Sequence, residues 1–85
     1  MIVDDVFFNI DILKDVMRQV LKINVNEKVV EASDGKQAVK QYIKLTKKYN
    51  NRCPIELILM DCDMPVMNGF KATEMILKYA QIAIN

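Results

Sequence analysis

The pattern of apolar and polar positions divides this chain into six segments, which predict three strands and three helices. Short apolar runs of the strand type cover residues 1–3, 28–32 and 57–60. Each run is followed by apolar positions at helical spacing, over residues 7–22, 35–49 and about 70–79. A strand–helix order of this kind favours right-handed crossovers and a parallel sheet, so the predicted fold class is α/β.

The same spacing predicts which side of each helix faces the core. The inward positions of the first helix are expected to be Ile10, Leu13, Met17, Val20 and Leu21. Those of the second and third helices are expected to be Ala38, Val39, Tyr42, Ile43 and Tyr49, then Phe70, Thr73, Ile76, Leu77 and Ala80. Phe7 and Phe8 are expected in the core or at its rim, and residues 80–85 have no predicted element.

The third apolar run is the most informative stretch of the chain. Residues 57–60 have no helical spacing, which predicts a strand buried on both faces of a helix-covered sheet. Asp61 and Asp63 follow the run directly, and open α/β sheets bind ligands at this end of their strands. Pro65 then ends the strand, and Gly69 allows a tight turn before the third helix.

Composition limits the chain to one small domain. It has 85 residues, and 52% of them are hydrophobic, which suffices for a core and argues against disorder. The net charge of +1 gives no electrostatic case for binding nucleic acid or an anionic membrane. No apolar segment approaches the roughly 20 residues of a membrane span, and the N-terminus shows no secretion signal.

The two cysteines are predicted to be free thiols. Cys53 and Cys62 flank the third apolar run, and an extended strand between them spans up to about 30 Å, far beyond disulfide reach. Two cysteines without a histidine also leave no ligand set for zinc.

A resemblance to a known family lies in Leu59-Met-Asp-Cys-Asp-Met-Pro-Val-Met-Asn-Gly69. This segment is similar to the phosphoacceptor segment of the receiver domains of two-component signalling, above all those attached to hybrid histidine kinases. Two shorter segments add to the likeness, the acidic pair in Val3-Asp-Asp5 and the second-strand exit in Glu31-Ala-Ser-Asp-Gly35. Asn9 and the apolar pattern after it are similar to the hybrid-kinase subgroup. The resemblance covers essentially the whole chain and implies a flavodoxin-like, three-layer parallel sheet with strand order 2-1-3.

The resemblance implies roles for four aspartates. Asp61 would accept a phosphoryl group, and Asp5 and Asp61 would ligate Mg²⁺. Asp4 would reach the metal mainly through water, and Asp63 would contribute its backbone carbonyl. An ionised carboxylate needs no base to act as a nucleophile, and Mg²⁺ would offset its repulsion from an anionic phosphoryl group.

The resemblance also implies partners and a location. The phosphoryl donor would be a histidine kinase or a phosphotransfer protein that bears phosphohistidine, since this chain contains no histidine. The chain itself is expected not to be an enzyme and to contact neither nucleic acid nor membrane. It is expected in the cytoplasm, either free or as the cytoplasmic part of a membrane-anchored kinase.

The family pattern extends further than these residues. Receivers have a fourth strand that ends in Ser or Thr, a fifth strand that carries Lys, and a last helix. Residues 1–85 are therefore expected to form a partial receiver domain, truncated after the third strand–helix unit. We expect this piece alone to accept phosphate poorly, and either to be partly folded or to associate with itself through its third strand, whose edge is apolar and uncharged.

Other interpretations of the acidic residues stay open at this point. The acidic pair before the first helix has the composition of a helix cap, and Asp61 that of a solvated acid after a strand. A calcium-binding loop is excluded, because it needs other residues where Pro65, Val66 and Ala72 stand. A strand ending in Asp-x-Asp also resembles haloacid dehalogenase-type phosphatases, which form an aspartyl phosphate but have Thr or Val in place of Pro65. A receiver that is not phosphorylated and serves only as an interaction module is a further alternative.

Overall fold

The computed structural model describes residues 1–84, and over that range it contains three strands and four helices. In chain order these are β1 (Ile2–Val3), α1 (Phe7–Gln19), α2 (Val25–Lys28), β2 (Glu31–Ala32), α3 (Gly35–Lys48), β3 (Leu59–Met60) and α4 (Gly69–Ile84). The sequence did not predict α2, a single turn that shortens the expected second strand. Residues 80–84, which had no predicted element, continue α4, and Asn85 lies outside the described residues.

The strands form one parallel sheet in the order β2-β1-β3. Ile2 pairs with Glu31 of β2 on one side and with Leu59 of β3 on the other. The predicted α/β class, flavodoxin-like architecture and 2-1-3 order are therefore confirmed. Because parallel strands run in the same direction, all three end at one edge of the sheet.

The central strand β1 is the covered part of the sheet. Ile2 and Val3 are each 1% exposed, and successive side chains of a strand point to opposite faces. Val3 belongs to the main core, which α3 and α4 join through the buried Ala38 and Ala72. Ile2 points to the opposite face, where a right-handed crossover places α1 with its buried Ile10.

The third strand is the edge strand that the order 2-1-3 predicts, but it is not buried on both faces as expected. Leu57 is 61% exposed and the other residues of the apolar run are half-buried. The amides of Leu59 and Asp61 donate to β1 at 2.9 Å each. The alternating backbone groups of Ile58 and Met60 therefore point to the open side, where residues 1–84 supply no further strand. An apolar run indicates that a strand is suited to burial, but it does not show how much of the strand its neighbours cover.

The face that α4 turns to the core agrees with the predicted one at Ile76, which is buried, but differs from it elsewhere. Phe70, Thr73 and Leu77 were expected inside but are exposed, whereas Ala72 is fully buried. The small Ala72 permits a close approach to α3, since a Cβ on Gly35 would lie 3.0 Å from the Cβ of Ala72. This helix carries apolar residues on more than one side, so spacing alone could not identify its buried face.

Several apolar side chains that were predicted inside lie at the surface. Phe7 and Phe8 are 71% and 70% exposed, and Tyr49 is also exposed. In α3 the inward position near the helix end is taken by Thr46, whose buried hydroxyl donates to the backbone oxygen of Tyr42 at 2.8 Å. Tyr49 is excluded because the helix ends at Lys48, before it.

The first helix follows the prediction at its start and departs from it at its end. Ile10 is buried, and Leu13 and Met17 are half-buried. Val20 and Leu21 lie beyond the last helical residue and are exposed, 70% and 60% respectively. The prediction extended the helical pattern by three residues too many, to residue 22.

Candidate functional site

Three aspartates from two strands meet at the carboxyl edge of the sheet. Asp4 and Asp5 follow β1, Asp61 follows β3, and these two strands are neighbours. One carboxylate oxygen of each residue lies within 4.8 Å of the others. Asp4 and Asp61 are half-buried, and Asp5 is exposed. We refer to Asp4, Asp5 and Asp61 as the acidic cluster.

Backbone hydrogen bonds of the sheet fix both strand ends. The amide of Asp61 donates to the carbonyl oxygen of Val3 at 2.9 Å, and the amide of Asp4 donates to that of Ala32 at 3.1 Å. Residues that are distant in the sequence therefore reach one place because the strand register brings them there.

Asp4 is held by hydrogen bonds on both of its carboxylate oxygens. Oδ1 accepts from the backbone amide of Val6 at 2.9 Å, and Oδ2 accepts from the side-chain amide of Asn9 at 3.2 Å. Asp5, in contrast, accepts no hydrogen bond from residues 1–84. Val6 is the N-cap of α1 and no side chain caps this helix, so neither acid of the pair acts as a hydrogen-bonding cap. The sequence showed Asn9 only as part of a family likeness, and its contact with Asp4 was missed.

Asp63 stands beside the acidic cluster without joining it. Its side chain is exposed, and its backbone amide donates to Oδ1 of Asp61 at 3.3 Å. This bond orients one oxygen of Asp61, while the other accepts no hydrogen bond from the described part of the chain. The expected contribution of the Asp63 carbonyl to a metal stays a prediction.

Two glycines allow the loop after β3 to pack closely against neighbouring backbone. A Cβ on Gly69 would lie 2.1 Å from the backbone oxygen of Asp61, and the Gly69 amide donates to Cys62 O at 3.0 Å. On the other side of the loop, the Gly35 amide donates to Met67 O at 3.1 Å, and a Cβ on Gly35 would lie 2.4 Å from the same oxygen. Both glycines are thus required by close backbone approach, which the sequence did not reveal.

The middle of this loop is conformationally strained. Val66 has a φ of 68°, in the left-handed region that β-branched residues rarely adopt. The amide of Met67 donates to the carbonyl oxygen of Pro65 at 2.7 Å, which is the hydrogen bond of a γ-turn around Val66. Met64 is 7% exposed and anchors the loop in the core. A strained residue of this kind persists where the surrounding structure fixes a loop.

The donor set of the acidic cluster fits a hard divalent cation. Mg²⁺ prefers oxygen ligands and needs only one or two carboxylates, because it retains several waters. Three carboxylates lie close together here, and no ion pair among residues 1–84 involves any of them. Asp5 and Asp61 have oxygens that accept no hydrogen bond from residues 1–84, so they are the residues that could hold such an ion.

A parallel sheet of order 2-1-3 with acids at its carboxyl edge defines an α/β domain of the flavodoxin-like class. Within that class, this chain belongs to the response regulator receiver domain family, whose model matches residues 1–84. The family resemblance predicted from the sequence is therefore confirmed, and with it a general role in two-component signal transduction.

Comparison with curated proteins gives a relative of greater length. The chain is 38% identical over 79 residues to a protein-glutamate methylesterase/protein-glutamine glutaminase of Methanococcus maripaludis. The match covers 93% of this chain but 19% of the relative, so the chain spans about a fifth of that protein's length. No solved structure matches the chain. Among the described helices, none is both long and apolar enough to cross a membrane.

Proposed function

We propose that this chain accepts a phosphoryl group on Asp61 in a two-component phosphorelay. The observation that carries the proposal is the convergence of Asp4, Asp5 and Asp61 within 4.8 Å at the ends of two adjacent strands. Membership of the receiver family supports the same function and favours it over the phosphatase alternative. Asp61 is the proposed acceptor because it stands in the motif before Pro65 and because one of its carboxylate oxygens has no hydrogen-bond donor among residues 1–84.

The proposed reaction is a transfer between two proteins. An oxygen of Asp61 attacks the phosphorus of a phosphohistidine, and the new O–P bond forms as the N–P bond breaks. The imidazole nitrogen of the donor retains the electron pair and takes up a proton. The donor is a histidine kinase or a phosphotransfer protein, since this chain has no histidine. The chain contributes position and an ionised nucleophile, and it needs no general base.

Mg²⁺ is the proposed cofactor of this transfer. Asp5 and Asp61 would bind it directly, Asp4 through water, and Asp63 through its backbone carbonyl. When bound, the ion supplies positive charge between the carboxylate and the incoming phosphoryl group. The exposed Asp5, which accepts no hydrogen bond from residues 1–84, suits direct coordination better than Asp4, whose two oxygens are already engaged.

Phosphoramidate tests the assignment of Asp61, because it is a small donor with the same kind of P–N bond. With Mg²⁺ present, the wild type should form an acyl phosphate that is lost in both acid and base, and Asp61→Asn should not form it. Asp11→Asn removes an exposed acid of α1 outside the acidic cluster and should react like the wild type. An Asp61→Asn variant that is phosphorylated at the wild-type rate would show that the assignment is wrong. Where residues follow Asn85 in the natural protein, the full-length protein is used.

Metal binding is tested separately by titration with Mn²⁺. We expect weak binding by the wild type and by Asp11→Asn, and weaker binding by Asp5→Asn, because the latter loses a charged ligand of the ion. Equal Mn²⁺ affinity in the wild type and Asp5→Asn would refute the metal site while leaving the test of Asp61 intact.

The proposed context is a longer signalling protein in the cytoplasm. We propose that residues 1–85 are part of its receiver domain and have no enzyme activity of their own. Asn9 and the apolar pattern after it resemble the hybrid-kinase subgroup, which supports a hybrid histidine kinase as the longer protein. The curated relative, in contrast, is named as a methylesterase and glutaminase. A response regulator with another output is therefore the second candidate for this context.

A second candidate function, self-association, is favoured by the open side of β3. Leu57 is 61% exposed, and the backbone groups of Ile58 and Met60 point away from β1. A groove of about 260 Å³ lies between this edge and α4, lined by Ile58, Met60, Thr73, Ile76 and Leu77. The run from Leu57 to Met60 has no charge to prevent strand pairing, so a second copy of the chain is the proposed occupant.

Sedimentation velocity of residues 1–85 tests this association. The wild type should associate, and Leu57→Lys should be monomeric, because a charge on the edge opposes pairing. Val20→Lys places the same charge at an apolar position after α1 that is 70% exposed, and this variant should associate like the wild type. A monodisperse wild-type monomer with strongly protected amides over residues 56–61 would rule the interaction surface out.

A further inference from the structure

We propose that Asn9 is a positioning residue of the acidic cluster and acts on a bound cation through Asp4. This inference rests on the proposed function of the cluster. The side-chain amide of Asn9 donates to Oδ2 of Asp4 at 3.2 Å, which links the first turn of α1 to the end of β1. The helix α1 contributes no acid to the acidic cluster, and Asn9 connects it to the cluster through Asp4.

Two donors on different oxygens fix the plane of the Asp4 carboxylate. The terminal torsion of an aspartate is broad, so a single hydrogen bond would leave the group free to turn. The amide of Val6 binds Oδ1 at 2.9 Å and Asn9 binds Oδ2, and both donors belong to the start of α1. The orientation of Asp4 is therefore set in the protein before a cation arrives.

This arrangement explains why Asp4 and Asp5 would play different parts. Each carboxylate oxygen has about two acceptor positions, so Asp4 keeps one on each oxygen after its two internal bonds. Those positions suit hydrogen bonds from the waters that Mg²⁺ retains. Asp5 is exposed and accepts no hydrogen bond from residues 1–84, so it is free to enter the coordination shell itself.

The chemistry of asparagine fits this role better than a purely helical one. Asn9 is exposed, and alanine would be the stronger helix former there. The amide donates a hydrogen bond without bringing a positive charge that would compete with a cation. Aspartate in its place would add a fourth negative charge, and alanine would leave Oδ2 of Asp4 without its donor.

Mn²⁺ affinity of Asn9 variants tests the proposal. Removal of a hydrogen-bond partner of a metal-site residue commonly weakens metal binding by 10-fold or more, so we expect a loss of about tenfold for Asn9→Ala. Asn9→Leu, which keeps a similar side-chain volume, should lose as much, and circular dichroism should show unchanged helix content in both. Gln19→Ala removes the same functional group from the other end of α1 and should bind Mn²⁺ like the wild type.

A double-mutant cycle separates action through Asp4 from a general effect on the fold. In an Asp4→Ala background, Asn9→Ala should cause no further loss of Mn²⁺ affinity. A second tenfold loss in that background, or wild-type affinity in both Asn9 variants, would overturn the proposal. If Asp5→Asn and Asp61→Asn weaken binding while the Asn9 variants do not, this inference alone fails. If none of these variants weakens binding, the proposed metal site fails as well.

Discussion

β1 and β3 supply acids to the same cluster from opposite packing environments. Ile2 and Val3 of β1 are each 1% exposed, and strands flank β1 on both sides. Leu57, just before β3, is 61% exposed, and β3 pairs with β1 alone within residues 1–84. Two of the three acids therefore follow the buried central strand, and the third follows an edge strand. Edge segments with few buried contacts open at lower free energy than core strands.

The loop after β3 compensates for the weak burial of its strand. Gly69 lies directly against the backbone of Asp61, Met67 accepts a hydrogen bond from Gly35, and Met64 is buried in the core. The loop thus contacts the end of β3 directly, and we expect its packing to help position Asp61. On the β1 side, Asp4 is held instead by the helix that follows.

The largest expected effect is the loss of unfolding free energy when a buried apolar side chain of β1 is truncated, compared with the same truncation of an exposed one before β3. Ile2→Ala should lower the free energy of unfolding by about 2–5 kcal/mol, because it leaves a cavity in a fully buried site. Leu57→Ala should cost less than about 1 kcal/mol, as for other exposed positions. Urea unfolding, monitored by circular dichroism, measures the free energy of unfolding of both variants. Ile2→Val is a smaller truncation that serves if Ile2→Ala does not fold. Equal costs at the two positions would contradict the difference in burial.

An intermediate effect is expected where the loop meets the end of β3. Alanine at Gly69 would place its Cβ 2.1 Å from the Asp61 oxygen, so either the loop or the strand end must move. We expect Gly69→Ala to destabilise the chain by about 1–3 kcal/mol, the usual range for an overpacked site. Mn²⁺ binding should weaken too, because Asp61 moves relative to Asp5. Lys71→Ala, an exposed change in the first turn of α4, serves as the control. Unchanged affinity in Gly69→Ala would show that the loop does not position Asp61.

The sequence carried enough information for the topology and for the acidic residues of the cluster. The strand–helix alternation and the acids after two apolar runs were local signals, and the 2-1-3 order followed from the family likeness and general rules of α/β sheets. The edge position of β3 was predicted correctly, whereas the burial of its faces was overestimated, because the run itself does not encode which elements pack on them. On α4 the burial of Ile76 was predicted correctly, but that of Ala72 was missed because its close contact with Gly35 is tertiary. The hydrogen bond from Asn9 to Asp4 needs coordinates to be seen.

The smallest expected effect is the coupling energy of the ion pair that connects α1 to β2. Nζ of Lys14 lies 2.6 Å from Oε2 of Glu31, which links α1 to β2, and the two side chains are 22% and 40% exposed. Partly exposed ion pairs contribute about 0.2–1 kcal/mol, so a double-mutant cycle of Lys14→Met and Glu31→Gln should give a coupling energy in this range. High salt should reduce the coupling, because it screens exposed charges. The i,i+4 pair of Lys78 with Glu74 on α4 is more exposed and should couple less strongly. If the Lys14 pair instead proved no stronger than the Lys78 pair, its partial burial beside β2 would add nothing to the coupling, and α1 would be held mainly by apolar packing such as that of the buried Ile10.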